Sequence, residues 1–104
     1  MRRGEIRWYT FKPPDKRRPV LILTRNPAIS RLNTVTVVAI TTTIRHVPSE
    51  LYLTPDDGMP TECVANFYNI NTVPQSKVGA LIAILSSEQL TAVSEIINFV
   101  LGVD

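Results

Sequence analysis

The residues able to do chemistry gather in the first half of the chain. Arg17-Arg18-Pro19 opens an apolar run, and Thr41-Thr42-Thr43 closes a valine-rich one. Pro19 fixes its own φ and drives Arg18 toward an extended backbone, so the guanidinium projects from a rigid strand start. Such an arginine suits two-pronged recognition of a phosphate; the plain alternative is a solvated cation beside a structural proline. The threonine triplet is ordinary β-sheet composition unless one hydroxyl lies near that arginine. Trp8, Tyr9 and Phe11 flank a loop carrying Lys12, Lys16 and Arg17, so rings and cations interleave as in proteins that bind single-stranded nucleic acid. Against that, a tryptophan on a first strand is more often core than platform.

Other reactive groups are sparse. His46 is the one histidine and Cys63 the one cysteine, which excludes an internal disulfide, a two-histidine zinc site and a cysteine-ligated cluster. His46 precedes a Pro48-Ser49 turn and reads as solvated. Cys63 sits in a strand with no partner base and reads as a small buried hydrophobe. Asp56-Asp57-Gly58 lacks the further ligands of a calcium loop and reads as a turn.

These groups must be held by short strands. Glu5–Tyr9 alternates as a first strand with Ile6 and Trp8 on one face. Two consecutive prolines, Pro13-Pro14, keep Phe11–Arg17 out of regular structure. Val20–Leu23 is a continuous branched run, expected to be buried on both faces and ended by Asn26-Pro27. Thr34–Thr43 is the strongest β signal, nearly all β-branched. Glu50–Thr54, Cys63–Phe67 and Val78–Ile84 complete the strand candidates, with a turn at Pro55–Gly58. Only the last segment reads as helix. Ser86 and Gln89 form a capping box, Leu85 is placed to staple onto Leu90, and Gly102 marks the end. Between them Leu90, Val93, Ile96, Ile97, Val100 and Leu101 make one apolar stripe, expected to close the core. The pattern predicts a mainly β fold with a C-terminal helix, a small barrel or sandwich.

The 104 residues fit a single domain, 1–104, and 44% apolar composition with 19% charged residues argues against disorder. No apolar run reaches ~18 residues and no signal-peptide core follows Met1-Arg2-Arg3, so a soluble cytoplasmic protein is expected. The net charge of +2 conceals a split. Residues 1–46 hold ten basic and two acidic side chains; residues 47–104 hold one and seven. One face meeting a polyanion would explain this, as would two halves that interleave and cancel.

Several short motifs, taken in order, resemble the MazF/PemK toxin family, the endoribonuclease arm of type II toxin–antitoxin pairs. Arg3-Gly4-Glu5-Ile6, Arg18-Pro19-Val20-Leu21-Ile22, Ala39-Ile40-Thr41-Thr42, Cys63-Val64 with Asn69-Ile70-Asn71-Thr72-Val73, and Val78-Gly79 before the helix all carry it. The resemblance spans essentially the whole chain. It departs in a short first loop without the Gly-Ser-Glu element, in Cys63 where serine is common, and in Asn69 where glutamine is common.

The resemblance implies an SH3-like small β-barrel of the MazF/PemK/CcdB-like kind, a homodimer, and metal-independent cleavage of single-stranded RNA, with no cofactor. It implies Arg18 and Thr41 as the catalytic pair, acting on an RNA whose own 2′-hydroxyl attacks the adjacent phosphate. Trp8, Lys12, Lys16, Arg17, Thr42 and Asn69 are the candidate RNA contacts. A guanidinium with a pKa above ~12 is a poor base, so Arg18 reads as stabiliser and proton donor. Glu5 is the candidate general base, with a competing reading as the ion-pair partner of a nearby arginine. The implied protein partner is a cognate antitoxin with an acidic segment that folds into the basic groove. Two rivals belong to other classes: a toxin of similar fold that poisons DNA gyrase through its C-terminal helix, and a non-catalytic RNA-binding barrel.

Overall fold

The computed structural model describes residues 1–103, and its strands form one curled antiparallel sheet backed by a long helix. The strands are β1 (Glu5–Thr10), β2 (Arg17–Ile22), β3 (Thr34–Thr41), β4 (Glu50–Leu53), β5 (Cys63–Pro74) and β6 (Leu81–Ile84). Their spatial order is β4-β5-β3-β2-β1-β6. A short helix α1 (Asn26–Ile29) follows β2, and α2 (Ser87–Leu101) ends the fold. Among the described residues, no helix is long and apolar enough to cross a membrane.

The branched run of β2 is buried on both faces, as its composition predicts. Leu21 and Leu23 join Ile6, Val38, Ile40, Leu53, Phe67 and Val93 on the face that α2 covers. Val20 and Ile22 join Ile29, Val35, Val37 and Val73 on the other, where Tyr9 and Phe11 pack. The period-2 alternation of the strands thus feeds two cores, and α1 supplies Ile29 to the outer one. A four-residue helix with proline in its first turn gives too little periodicity to be legible in the sequence.

The curl has a local cause. β5 is continuous from Cys63 to Pro74, longer than its Cys63–Phe67 signal, because β3 needs a partner along its whole length. The β3–β5 register shifts between Val38 and Ile40, and that irregularity bends β5 so its first half can also pair with β4. The two edges of the sheet then approach. Gly58, just past β4, has φ +94°, and a side chain there would lie 3.2 Å from Ala83 Cβ on β6. The Pro55–Asp57 turn before it is a single 3₁₀ turn capped by Thr54 and Asp57.

β6 begins only at Leu81: Val78–Ala80 run beside β1 through Gly79 N–H to Trp8 O and Trp8 N–H to Ala80 O, but the β1–β6 register is irregular between Ile6 and Arg7. The helix matches its pattern closely. Ser86 and Gln89 form both bonds of the capping box, and Gly102 is left-handed at the C-cap. Val93 is fully buried and Leu90, Ile96, Ile97 and Val100 pack against the core. Leu101, expected on the stripe, is instead 59% exposed in the last turn of α2.

Candidate active site

Arg18 and Thr41 meet in one cleft. The β2–β3 ladder pairs Val20 with Ala39 and Leu21 with Val38. Arg18 and Thr41 lie two residues beyond the last ladder pair, Val20 with Ala39, at the same end of the two strands. Both line a cleft of about 390 Å³ together with Trp8, Lys16, Arg17, Pro19, Ile40, Thr42, Thr43, Met59, Pro60, Thr61 and Cys63. Three of these residues are cationic and none is acidic. A concavity with that balance attracts an anion. Its walls are the start of β2, the end of β3 and the Met59–Thr61 loop.

The two arginines are held differently. Alternation along β2 puts Arg17 with Pro19 and Leu21 toward the inner face, where Trp8 lies opposite Pro19. The Arg17 guanidinium sits 4.1 Å from the centre of the Trp8 ring. A cation over an indole is attracted by the ring quadrupole and leaves the guanidinium edge free to bind. Arg18 lies opposite Tyr9 on the outer side. Its Nη2 donates to Asp15 Oδ1 at 2.5 Å, while its Nε is buried without a hydrogen-bond partner among the described residues.

Asp15 belongs to the short loop between β1 and β2, which is closed by its own backbone. Phe11 N–H donates to Lys16 O and Asp15 N–H to Lys12 O. Its Oδ1 also accepts from the Lys16 amide, and that bond, with the Arg18 guanidinium, holds the carboxyl below the ordinary aspartate value. The Pro13-Pro14 peptide is cis. On the opposite wall the Thr41 hydroxyl oxygen accepts from Thr43 N–H at 3.1 Å, which fixes its rotamer where the strand ends.

Of the candidate residues, Trp8, Lys16, Arg17 and Thr42 line the cleft with the central pair. Lys12 and Asn69 do not. Lys12 is exposed on the first loop, and Asn69 lies on the exposed stretch of β5, where its Oδ1 accepts from Asn71 Nδ2. Glu5 also lies outside the cleft lining. It is 9% exposed, and its Oε1 accepts from Arg7 Nε at 2.8 Å and from the Arg2 amide at 3.1 Å. Burial pushes its carboxyl up, but those two bonds together with the positive charges of Arg7 and the N-terminus bring the group below its ordinary value. Glu5 and Arg7 thus form an ion pair.

His46 is exposed, with φ 55° and its amide on Glu50 Oε1. Cys63 forms part of the cleft wall yet is buried; burial pushes its thiol up to about 11, with Asp57 adding to the effect. The Met59–Thr61 wall had no chemical signature to reveal it, since a loop methionine, proline and threonine are noticed only once folding sets them beside Arg18.

Comparison with known proteins identifies the family. The family described as PemK-like, MazF-like toxin of type II toxin-antitoxin system matches residues 2–101. A probable endoribonuclease of Mycobacterium tuberculosis, MazF2, is 45% identical over 91 residues, 86% of this chain and 87% of that protein. The endoribonuclease MazF3 of the same organism is 37% identical over 90 residues, 86% of this chain and 87% of that protein. Among solved structures, the M. tuberculosis toxin MazF-mt6 aligns with a TM-score of 0.88 at 34% identity, covering 96% of this chain and 98% of its own. A mycobacterial endoribonuclease solved with its cognate antitoxin shares the fold, with a TM-score of 0.87 at 23% identity, covering 100% of this chain and 97% of its own. The chain therefore belongs to the PemK-like, MazF-like toxin family of type II toxin–antitoxin systems.

Proposed function

We propose that this chain is a sequence-specific, metal-independent endoribonuclease that cuts single-stranded RNA at a phosphodiester bound between Arg18 and Thr41. That Arg18 and Thr41 line one cationic cleft carries the reading. In the reaction the 2′-oxygen bonds to phosphorus and the P–O5′ bond breaks. One proton passes, net, from the 2′-hydroxyl to the departing 5′-oxygen. The products are a 2′,3′-cyclic phosphate and a 5′-hydroxyl, with no water consumed.

The pentacoordinate transition state concentrates charge on its non-bridging oxygens. A guanidinium fork matches two of them, and removal of one preorganised donor of this kind typically costs ~10²–10³ in rate. Thr41, anchored by Thr43 N–H, donates its hydroxyl proton to a further oxygen. Lys16 and Thr42 hold flanking phosphates, and Trp8 with Arg17 forms a stacking platform for a neighbouring base. Lys12 and Asn69, outside the cleft, contact RNA farther along the strand. Glu5 is committed to Arg7 and serves the fold rather than the proton transfer.

The same cationic wall suits an antitoxin whose acidic segment occupies the phosphate sites, and the active species is a homodimer. Exposed apolar side chains at Tyr68, Ile84 and Phe99 are available for such contacts. The deciding experiment is a gel of labelled single-stranded RNA incubated with the protein in EDTA. Cleavage to cyclic-phosphate ends is expected, lost in Arg18→Ala and in Thr41→Ala while their thermal melts stay near wild type. Shifted but intact RNA would instead indicate a binding module, and RNA neither bound nor cut would remove the nuclease reading.

A further inference from the structure

The Arg18 guanidinium is half engaged. Nη2 is bound to Asp15 Oδ1, while the neighbouring Nε is buried and has no partner among the described residues. A carboxylate that used both its oxygens would close the fork; Asp15 uses one, and the same oxygen is shared with the Lys16 amide. The loop backbone holds Asp15 in that pose through Asp15 N–H to Lys12 O and Phe11 N–H to Lys16 O. Asp15 is itself exposed, so it can swing away without opening the core.

A phosphodiester has two non-bridging oxygens, spaced to satisfy both arms of such a fork. From this we propose that Asp15 is a built-in competitor for the scissile phosphate. Its carboxylate occupies the guanidinium edge that RNA needs, and substrate binds by displacing it. The proposal rests on the ribonuclease reading of the same cleft. It makes Asp15 a positioning residue with two effects. It keeps Arg18 aligned when the cleft is empty, and it sets a threshold that weakly held anions do not pass. An RNA phosphate succeeds because it fills Nη2 and Nε together, where Asp15 fills Nη2 alone.

An ion pair at an exposed site is worth little, so its removal should raise apparent affinity by about three- to fivefold. The test measures binding of a single-stranded RNA carrying 2′-deoxyribose at the cleavage site, which cannot be cut. Asp15→Asn should bind about three- to fivefold more tightly than wild type, and Asp15→Glu should restore the wild-type value. The gain should vanish when Asp15→Asn is combined with Arg18→Ala. Equal or weaker binding by Asp15→Asn would overturn the proposal. So would a gain that persists without Arg18, because that would be diffuse charge removal.

Inorganic phosphate supplies a readout independent of cleavage. It should move the Arg18 Nε–Hε NMR resonance at lower concentration in Asp15→Asn than in wild type, and equal midpoints would also overturn the competition. If wild-type protein cut no RNA, the nuclease reading would fall while this titration still reported on Asp15.

Discussion

Arg17 and Arg18, adjacent on β2, are committed to different partners: Arg17 lies over the Trp8 ring and Arg18 reaches Asp15. Strand alternation imposes this division, since neighbouring side chains leave a strand on opposite faces. It separates a ring-stacked cation from a carboxylate-bound one within two residues. Their substitutions should therefore fail in different ways.

Arg18→Lys keeps the charge but not the planar fork. Cleavage should fall by about 10²–10³ in kcat, with RNA affinity reduced far less, because the lost interaction is the one that strengthens in the transition state. Single-turnover rates at saturating protein, compared with binding of the uncleavable RNA, check this. A loss confined to affinity would mean that Arg18 acts only as a point charge.

Trp8→Ala should weaken RNA binding by about 1–3 kcal/mol if a base stacks on the indole. It should leave the dependence of affinity on salt unchanged, because no charge is lost. Arg17→Ala should reduce the slope of log K against log salt by about 0.7 if Arg17 also contacts a phosphate. Fluorescence titrations at several salt concentrations measure both.

Glu5→Gln should cut RNA at close to the wild-type rate, yet lower stability at neutral pH by about 1 kcal/mol through the lost bonds to Arg7 and the Arg2 amide. The folded carboxyl titrates below its ordinary value of 4.5. Its stabilisation is accordingly present above pH 4.5 and lost as pH falls through the lowered folded value. Thermal melts from pH 7 down to 3 should show the wild-type advantage over Glu5→Gln shrinking in that window. Strong loss of cleavage with an unchanged melt would return Glu5 to the chemistry.

Cys63 should resist alkylation at pH 8 in the native protein and react readily once unfolded, because burial pushes its thiol up to about 11. Mass spectrometry of the iodoacetamide adduct with and without denaturant measures the contrast. Rapid native labelling would show that the Met59–Thr61 wall opens to solvent.

The strands that hold the site were legible because their residues were unambiguous. The branched run Val20–Leu23 has no helical period, and Thr34–Thr41 is almost wholly β-branched. The capping box at Ser86 and Gln89 marked the start of α2. Arg18 and Thr41 were singled out by motif order, and the β2–β3 register that brings them to one cleft was not legible, since register is a property of paired strands. Asn69 and Asn71 disguised the second half of β5, because asparagine disfavours strands until a partner such as β3 imposes one. The grip of Asp15 on Arg18 depended on how a two-proline loop folds back, which local sequence does not specify.

The ladder that brings Arg18 and Thr41 to one end of β2 and β3 is locked from both sides, by Leu21 and Val38 in one core and by Val20 and Val37 in the other. Slippage by a single residue would turn these buried side chains outward and displace Arg18 relative to Thr41. In cells that survive the toxin by mutating it, inactivating changes should consequently be scattered through the hydrophobic interior as often as in the cleft. The protein offers few ways to become harmless while remaining well folded.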